Sequence, residues 1–381
     1  MPAFHGSSKR MTWKRHIILI FSMTSLTLLT LEIGLRGYDA FQGRSFWKTY
    51  GNILAEPIKL FPFRTFGFDL YKTVDGQTYI SSRHKELYPV KKPSNTFRIV
   101  CIGGSTTENL VEGVHYPKAL ESRLKERLGR DNIEVINLGN SAYATPHFII
   151  LLALDVVSWN PDLVILSENV NDLAATYFPN FTYDYSNKYS NPFFFPDYAS
   201  RFTIPNVLFQ HSRLYWFIYH RLHKNPTYSV QRKSYGYVPS PVSSAVFKRN
   251  LQSFVTLAQG NGIPVLLASQ PLHPSEEYFV NHMAYKPYND IAVYPLQGEF
   301  VSHHRYYNTI IEEVAAETKS FYLDNDAILR GETDYFVDPV HYTRKGVEQL
   351  AENYANYIIK HNIITSHQRQ SVVSSLQNNT N

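Results

Sequence analysis

From Thr96 onward, short strand-like runs alternate with helical ones, and this alternation narrows the possible folds more than anything else in the chain. "FRIVCI" (97–102), "IEVINL" (133–138), "DLVILS" (162–167), "PVLLAS" (264–269) and "SFYLD" (320–324) are short apolar runs that end at Gly, Asn, Asp or Ser. Runs of this length and composition read as strands. Between them, "YPKALESRLKERLG" reads as a helix with Pro117 in its first turn, Leu120, Leu124 and Leu128 on one stripe, and Gly129 as its stop. Further helices are expected from about 146 to 158, 243 to 259 and 305 to 317. A last one, from Arg344, carries Val347, Leu350, Ala351, Tyr354 and Ile358 on one face. Strands separated by helices pair in parallel, so the fold class is α/β, a mostly parallel sheet with helices on both faces.

With 381 residues, 44% of them apolar and 15% aromatic, the chain can build a full core. Residues 17–31, "IILIFSMTSLTLLTL", follow Lys9, Arg10, Lys14 and Arg15. A run of this kind, extended past Glu32 to Leu35, is long enough to cross a bilayer. The basic flank puts the amino end inside and the rest outside. An uncleaved anchor is preferred to a cleaved signal peptide, because "GYDAFQG" is a poor small-residue cleavage site. The expected localisation is single-pass membrane, with the bulk of the chain extracytoplasmic. The four basic residues account for most of the net charge of +5 and no other basic cluster stands out, so no nucleic-acid partner is expected. Cys101 is the sole cysteine, which excludes an intramolecular disulfide and a thiolate metal cluster.

The expected organisation is a basic tail (1–16), an anchor (17–35), a membrane-proximal segment without clear periodicity (36–95), a main domain (96–362) and a disordered polar tail (363–381). Residues 174–242 interrupt the main domain with an aromatic-rich insertion that includes "NPFFFPDY" and "RLYWFIYHRL". A stretch this long carries helices of its own, either as a packed satellite core or as a lid over a substrate.

In a parallel sheet, sites form beyond the carboxyl ends of the strands. Ser105, Ala142 and Asn171 fall just past predicted strands, and Asp338 lies in the loop before the last helix. A serine hydroxyl becomes a nucleophile only when a base takes its proton and a third group orients that base. "DPVH", Asp338 to His341, supplies a carboxylate and an imidazole in four residues. Acyl transfer also needs donors for the developing oxyanion, for which Asn171 in "LSENVNDL" and the small-residue turn in "NLGNSAYAT" are candidates.

These blocks, "IGGSTT", "NLGNSAYAT", "NVND" and "DPVHYTRKG", resemble the SGNH (GDSL-like) hydrolase superfamily of esterases, lipases and carbohydrate deacetylases. The resemblance covers roughly Thr96 to Lys360 outside the insertion and implies a three-layer, flavodoxin-like parallel sheet. It also implies Ser105 as nucleophile, His341 as base and then acid, and Asp338 as its orienter. The oxyanion hole would be the amides of Ser105 and Ala142 with the side chain of Asn171, and Gly104, Gly139 and Asp172 would support the loops. Three positions depart from the family. Gly104 stands where Asp is frequent, Ala142 replaces a glycine and would be strained at positive φ, and Asn169 replaces a glycine two before Asn171. The α/β-hydrolase fold is rejected, because its elbow needs glycine where Thr107 stands and here Asp and His are only three apart.

The expected partner is an ester substrate, with an acetyl ester on a surface carbohydrate as the leading reading. A lipid or lysophospholipid ester, acyl transfer to a glycan, and a non-catalytic module on the same scaffold are the alternatives. No metal or organic cofactor is expected: His282, His303 and His304 have no recognised ligand spacing and are assigned to the surface or to a substrate loop. "NFT" at Asn180 and "NNT" at Asn378 are glycosylation sequons.

Overall fold

A computed structural model describes residues 13–43, 45–47, 59–190, 211–222, 232–283 and 292–364. The chain divides into two units, residues 1–57 with 196–227, and residues 58–195 with 228–381.

In the larger unit the strands are β1 (Lys59–Phe61), β2 (Thr65–Gly67), β3 (Tyr71–Val74), β4 (Gln77–Ser81), β5 (Leu87–Pro89), β6 (Phe97–Gly103), β7 (Ile133–Asn137), β8 (Leu163–Ser167), β9 (Val265–Ala268) and β10 (Phe321–Leu323). The last five form one parallel sheet in the order β10-β9-β8-β6-β7, which is the flavodoxin-like order. Central β6 is buried at all its positions, and its residues alternate between two cores. Ile99 and Cys101 pack with Leu120 and Leu124 of the helix Tyr116–Leu128 and with Val347, Leu350 and Tyr354 of the helix Arg344–Lys360. Val100 and Ile102 face the other way, into a core with Phe148, Phe247 and Ile311 from the helices Thr145–Leu154, Pro241–Gly260 and Gln297–Thr318. Each fully buried Ile or Leu contributes roughly 1.5–3 kcal/mol, so both layers are held mainly by apolar burial. The chain runs outward from β6 to β7 and then back to β8 on the other side. The switch point therefore lies between the carboxyl ends of β6 and β8, where Ser105 and Asn171 follow.

Residues 59–95, part of the segment without clear periodicity in the sequence, contain two small antiparallel sheets, β1-β2 and β3-β4-β5. They belong with the main sheet rather than with the amino-terminal helix. Tyr88 on β5 donates from its hydroxyl to Val135 O on β7. Buried Arg98 on β6 donates to Pro89 O, Val90 O, Trp159 O and the Glu134 carboxylate, which satisfies its guanidinium inside the fold. The helix expected from 305 begins at Gln297, and the assignment of His303 and His304 to a surface or substrate loop is wrong: both are buried within it. His303 Nε2 donates to Gly236 O at 2.7 Å, so its Nδ1 accepts from the Tyr177 hydroxyl at 2.8 Å.

In the smaller unit, one helix runs over Trp13–Phe41 and is long and apolar enough to cross a membrane, or to be a signal sequence, with a mean hydropathy of 1.9 in its most apolar window. It outruns the expected 17–35 at both ends, and from Glu32 onward its charged residues find partners. Arg36 pairs with Glu32 at 2.6 Å. Glu32 also accepts from the Ser212 hydroxyl and from the amides of Arg213 and Leu214 at the start of the helix Arg213–Leu222. Arg213 in turn pairs with buried Asp39 at 2.8 Å. Residues 1–12, most of the basic tail, and 365–381, most of the polar tail, lie outside the described residues, as do 191–210 and 223–231 of the insertion.

Candidate active site

β6 delivers the chain through Gly103 and Gly104 into a short helix, Ser105–Glu108. A side chain at Gly104 would overlap the Glu168 carboxylate and the Asn171 amide, so either of those side chains would have to move to admit one. Ser105 Oγ lies 2.7 Å from His341 Nε2, and His341 Nδ1 lies 2.7 Å from Asp338 Oδ2. Asp338 Oδ1 accepts the amides of Val340 and His341 at 2.9 and 2.8 Å, which folds the loop back on its own carboxylate. Burial raises the Asp338 pKa, but hydrogen bonding and charge from His341, with charge from His282, outweigh it and hold the carboxyl well below its ordinary range. An ionised Asp338 accepts only, so His341 Nδ1 carries the proton and Nε2 of the neutral ring is the acceptor facing Ser105.

His282, assigned from the sequence to the surface or a substrate loop, also reaches this site. Its Nδ1 lies 3.3 Å from Asp338 Oδ2, and its ring meets His341 edge-on with 5.0 Å between centroids. Burial lowers its pKa, the Asp338 charge opposing and His341 adding to the shift. His282, Asp338 and His341 offer ligand atoms within 4.8 Å of one another, a set able to chelate a metal ion.

The loop after β7 is sewn to the serine helix from both sides. Asn137 accepts from the Gly139 amide at 2.8 Å and donates to Thr107 O at 3.0 Å. Gly139 lies so close to the Glu108 backbone that no side chain would fit. Glu108 accepts from the Ser141 amide and hydroxyl at 2.5 and 2.6 Å while pairing with Arg83. Ala142 sits at φ 64°, the left-handed region that costs a non-glycine residue about 1 kcal/mol. Its carbonyl accepts from the Tyr189 hydroxyl at 2.5 Å.

After β8, Glu168 bridges two strand ends, accepting the Asn171 amide at 2.9 Å and the Gly104 amide at 3.0 Å. Asn169, in place of the family's glycine, donates to Asn308 at 2.6 Å and so ties this loop to the helix Gln297–Thr318. Asn171 Nδ2 is buried and has no hydrogen-bond partner among the described residues. Lys188 Nζ donates to Asn171 O at 2.9 Å. Asp172 accepts the Thr145 amide and hydroxyl. Burial pushes the Glu168 carboxyl up to about 8, with the Asp172 charge adding to it. Burial also pushes Asp172 up to about 6 and Lys188 down to about 8, the nearby opposite charges opposing both shifts.

The fold thus brings Ser105, His341 and Asp338 into one hydrogen-bonded line and gathers Gly104 and Asn171 beside it. Gly139 and Ala142 lie on a loop sewn to the helix that carries Ser105. Sequence reasoning missed Glu168, Lys188 and Tyr189, and it set His282 aside as a surface or substrate-loop residue. Only Glu168 had a signal, as a carboxylate placed directly after a wholly apolar strand.

The model of the GDSL-like Lipase/Acylhydrolase family matches residues 101–349, more than half of the chain. No curated protein matches it. Similar solved structures include the acetyl xylan esterase AlAXEase, at 16% identity over 68% of this chain and 98% of that one, with a TM-score of 0.40. The acetylxylan esterase Axe2 from Geobacillus stearothermophilus matches at 15% identity over 70% and 96%, TM-score 0.41. A lipase/acylhydrolase from Enterococcus faecalis matches at 17% identity over 69% and 95%, TM-score 0.40.

Proposed function

The chain belongs to the GDSL-like lipase/acylhydrolase family and is a hydrolase of ester bonds, and from that premise we propose that Ser105 is its nucleophile. His341 Nε2 takes the Ser105 proton as Oγ attacks the ester carbonyl. The resulting oxyanion accepts from the amides of Ser105 and Ala142 and from Asn171 Nδ2. The imidazolium then protonates the departing alkoxide, leaving an acyl-serine. A water gives a proton to His341 as it attacks the acyl carbon, and Ser105 leaves with that proton. The observation that carries this reading is the pair of 2.7 Å contacts from His341 to Ser105 and to Asp338.

The substrate we propose is an O-acetyl ester on a cell-surface carbohydrate, with the domain of residues 96–362 held outside the membrane by the helix Trp13–Phe41. Lys14 and Arg15 at the start of that helix support an inside amino end. Exposed Tyr183 and Tyr237, within the aromatic-rich 174–242 stretch, are faces on which sugars stack. The test uses the full chain in detergent with a fluorophosphonate probe, followed by acetate release from acetylated xylo-oligosaccharides beside hydrolysis of a lysophospholipid. Labelling lost in Ser105→Ala, with acetate released faster than fatty acid, is the expected result. Equal labelling of Ser105→Ala would overturn the nucleophile, and preferential hydrolysis of the lipid would overturn the substrate.

A further inference from the structure

The short helix Ser186–Tyr189 belongs to the insertion, yet its last two residues reach the two loops that flank Ser105. Lys188 and Tyr189 are both buried. Lys188 Nζ donates to Asn171 O at 2.9 Å, and Tyr189 Oη donates to Ala142 O at 2.5 Å. Consecutive residues thus hold the backbone carbonyls of the two residues to which oxyanion donation is ascribed above.

Each tether does something the loops cannot do alone. Asn171 has its amide on Glu168 and its carbonyl on Lys188, so both peptides of the residue are fixed and the side chain leaves from a fixed Cα. Ala142 is held at φ 64°, a conformation that an alanine leaves readily for the ordinary regions. A hydrogen bond to its carbonyl opposes that relaxation. The tethers are themselves stiff. The Tyr189 ring packs edge-on against His147 at 4.6 Å and near Phe66 at 6.5 Å. Lys188 is buried, a costly place for its amine, and it stands between the carboxyls of Asp172 and Glu168, which oppose the loss of its proton.

We propose that Lys188 and Tyr189 are positioning residues for ester hydrolysis, holding Asn171 and Ala142 so that their donors face the oxyanion. This rests on the site reading given above. The insertion is then part of the machinery that stabilises the transition state as well as a surface element. A tether that acts on the oxyanion side affects the transition state and leaves ground-state binding alone, so it changes kcat and spares KM.

The test compares the full chain in detergent with Tyr189→Phe, Lys188→Met and Ser105→Ala, using p-nitrophenyl acetate as substrate and a methyl trifluoromethyl ketone as a mimic that forms an oxyanion on serine. Tyr189→Phe keeps the ring and loses one hydrogen bond. It is expected to lower kcat about five- to tenfold, leave KM unchanged, and weaken the ketone by the same factor. Lys188→Met is expected to do the same or more. If it fails to fold, Tyr189→Phe carries the test. A folded Tyr189→Phe with unchanged kcat and unchanged ketone affinity overturns the proposal, and so does a rise in KM alone. Ser105→Ala separates the two readings. Turnover that survives it removes the site reading itself, whereas turnover abolished there but intact in Tyr189→Phe removes only the positioning role.

Discussion

The two sides of Ser105 are built differently. On the imidazole side the hydrogen bonding is complete without substrate: both Asp338 oxygens are occupied, and both His341 ring nitrogens have partners at 2.7 Å. On the amide side, Asn171 Nδ2 is buried without a partner among the described residues, and Ala142 is held in a left-handed conformation. A buried donor left unpaired costs about 1–3 kcal/mol and persists only where its surroundings fix it. Glu168, Lys188 and Tyr189 provide that fixing. On the proposed reading, the imidazole side is already hydrogen-bonded in the resting protein, while the amide side would complete its bonding only with an oxyanion. An interaction made only in the transition state is what accelerates a reaction.

The hardest test of the assembled side is Asp338→Asn. An amide in that place can donate to His341 Nδ1, which would turn the ring to the tautomer whose Nε2 cannot accept the Ser105 proton. We expect kcat to fall by roughly 10⁴ with the fold intact, by analogy with the same change in a serine protease triad. A loss of less than tenfold would mean that the carboxylate does not set the tautomer, and the contrast between the two sides would lose its first half.

Asn171→Ala tests the other side and should cost less, roughly 10²–10³ in kcat with KM nearly unchanged, as for other oxyanion donors. Because the amide has no partner to lose, melting temperature should hold steady or rise. A drop in stability with little change in kcat would show that Asn171 serves the fold instead.

Much of this was legible in the sequence, and the reasons differ by residue. Ser105, Asp338 and His341 were legible through the order of several short blocks, since a Gly-Gly-Ser strand exit or an Asp-x-x-His turn carries little by itself. The five parallel strands were legible because each is a short, mainly apolar run, even with Arg98 in β6 and Glu134 in β7. Strands β3 to β5 were not, because they are three to five residues long and mostly half-exposed or exposed, too short for alternation to show. The start of the helix Gln297–Thr318 was hidden by Gly298 and by two histidines on its buried face. Lys188 and Tyr189 had no signal, since the insertion has no period and their partners are backbone carbonyls of distant loops.

His304 sharpens the comparison from outside the site. Like Asn171 it is buried, and neither ring nitrogen has a hydrogen-bond partner among the described residues. Unlike Asn171, it faces no reacting group. Its neighbours are Leu272, Pro274 and Val301, with the charges of Arg305, Asp326 and Arg330 close by. Burial pulls its pKa down to about 4, Asp326 opposing and the two arginines adding to the shift. Between pH 4 and about 6.5 the unfolded chain therefore binds a proton that the folded chain refuses. Stability falls as pH drops through that window, by roughly 2–4 kcal/mol for this group, and no further below it. His304→Leu removes both the unpaired nitrogens and the titration. We expect it to raise stability by about 1 kcal/mol near pH 7, roughly 2–4 °C in Tm, and to flatten the acid limb of a Tm-against-pH curve, with kcat unchanged. A lower Tm with the acid limb unaltered would mean that the His304 nitrogens are satisfied after all.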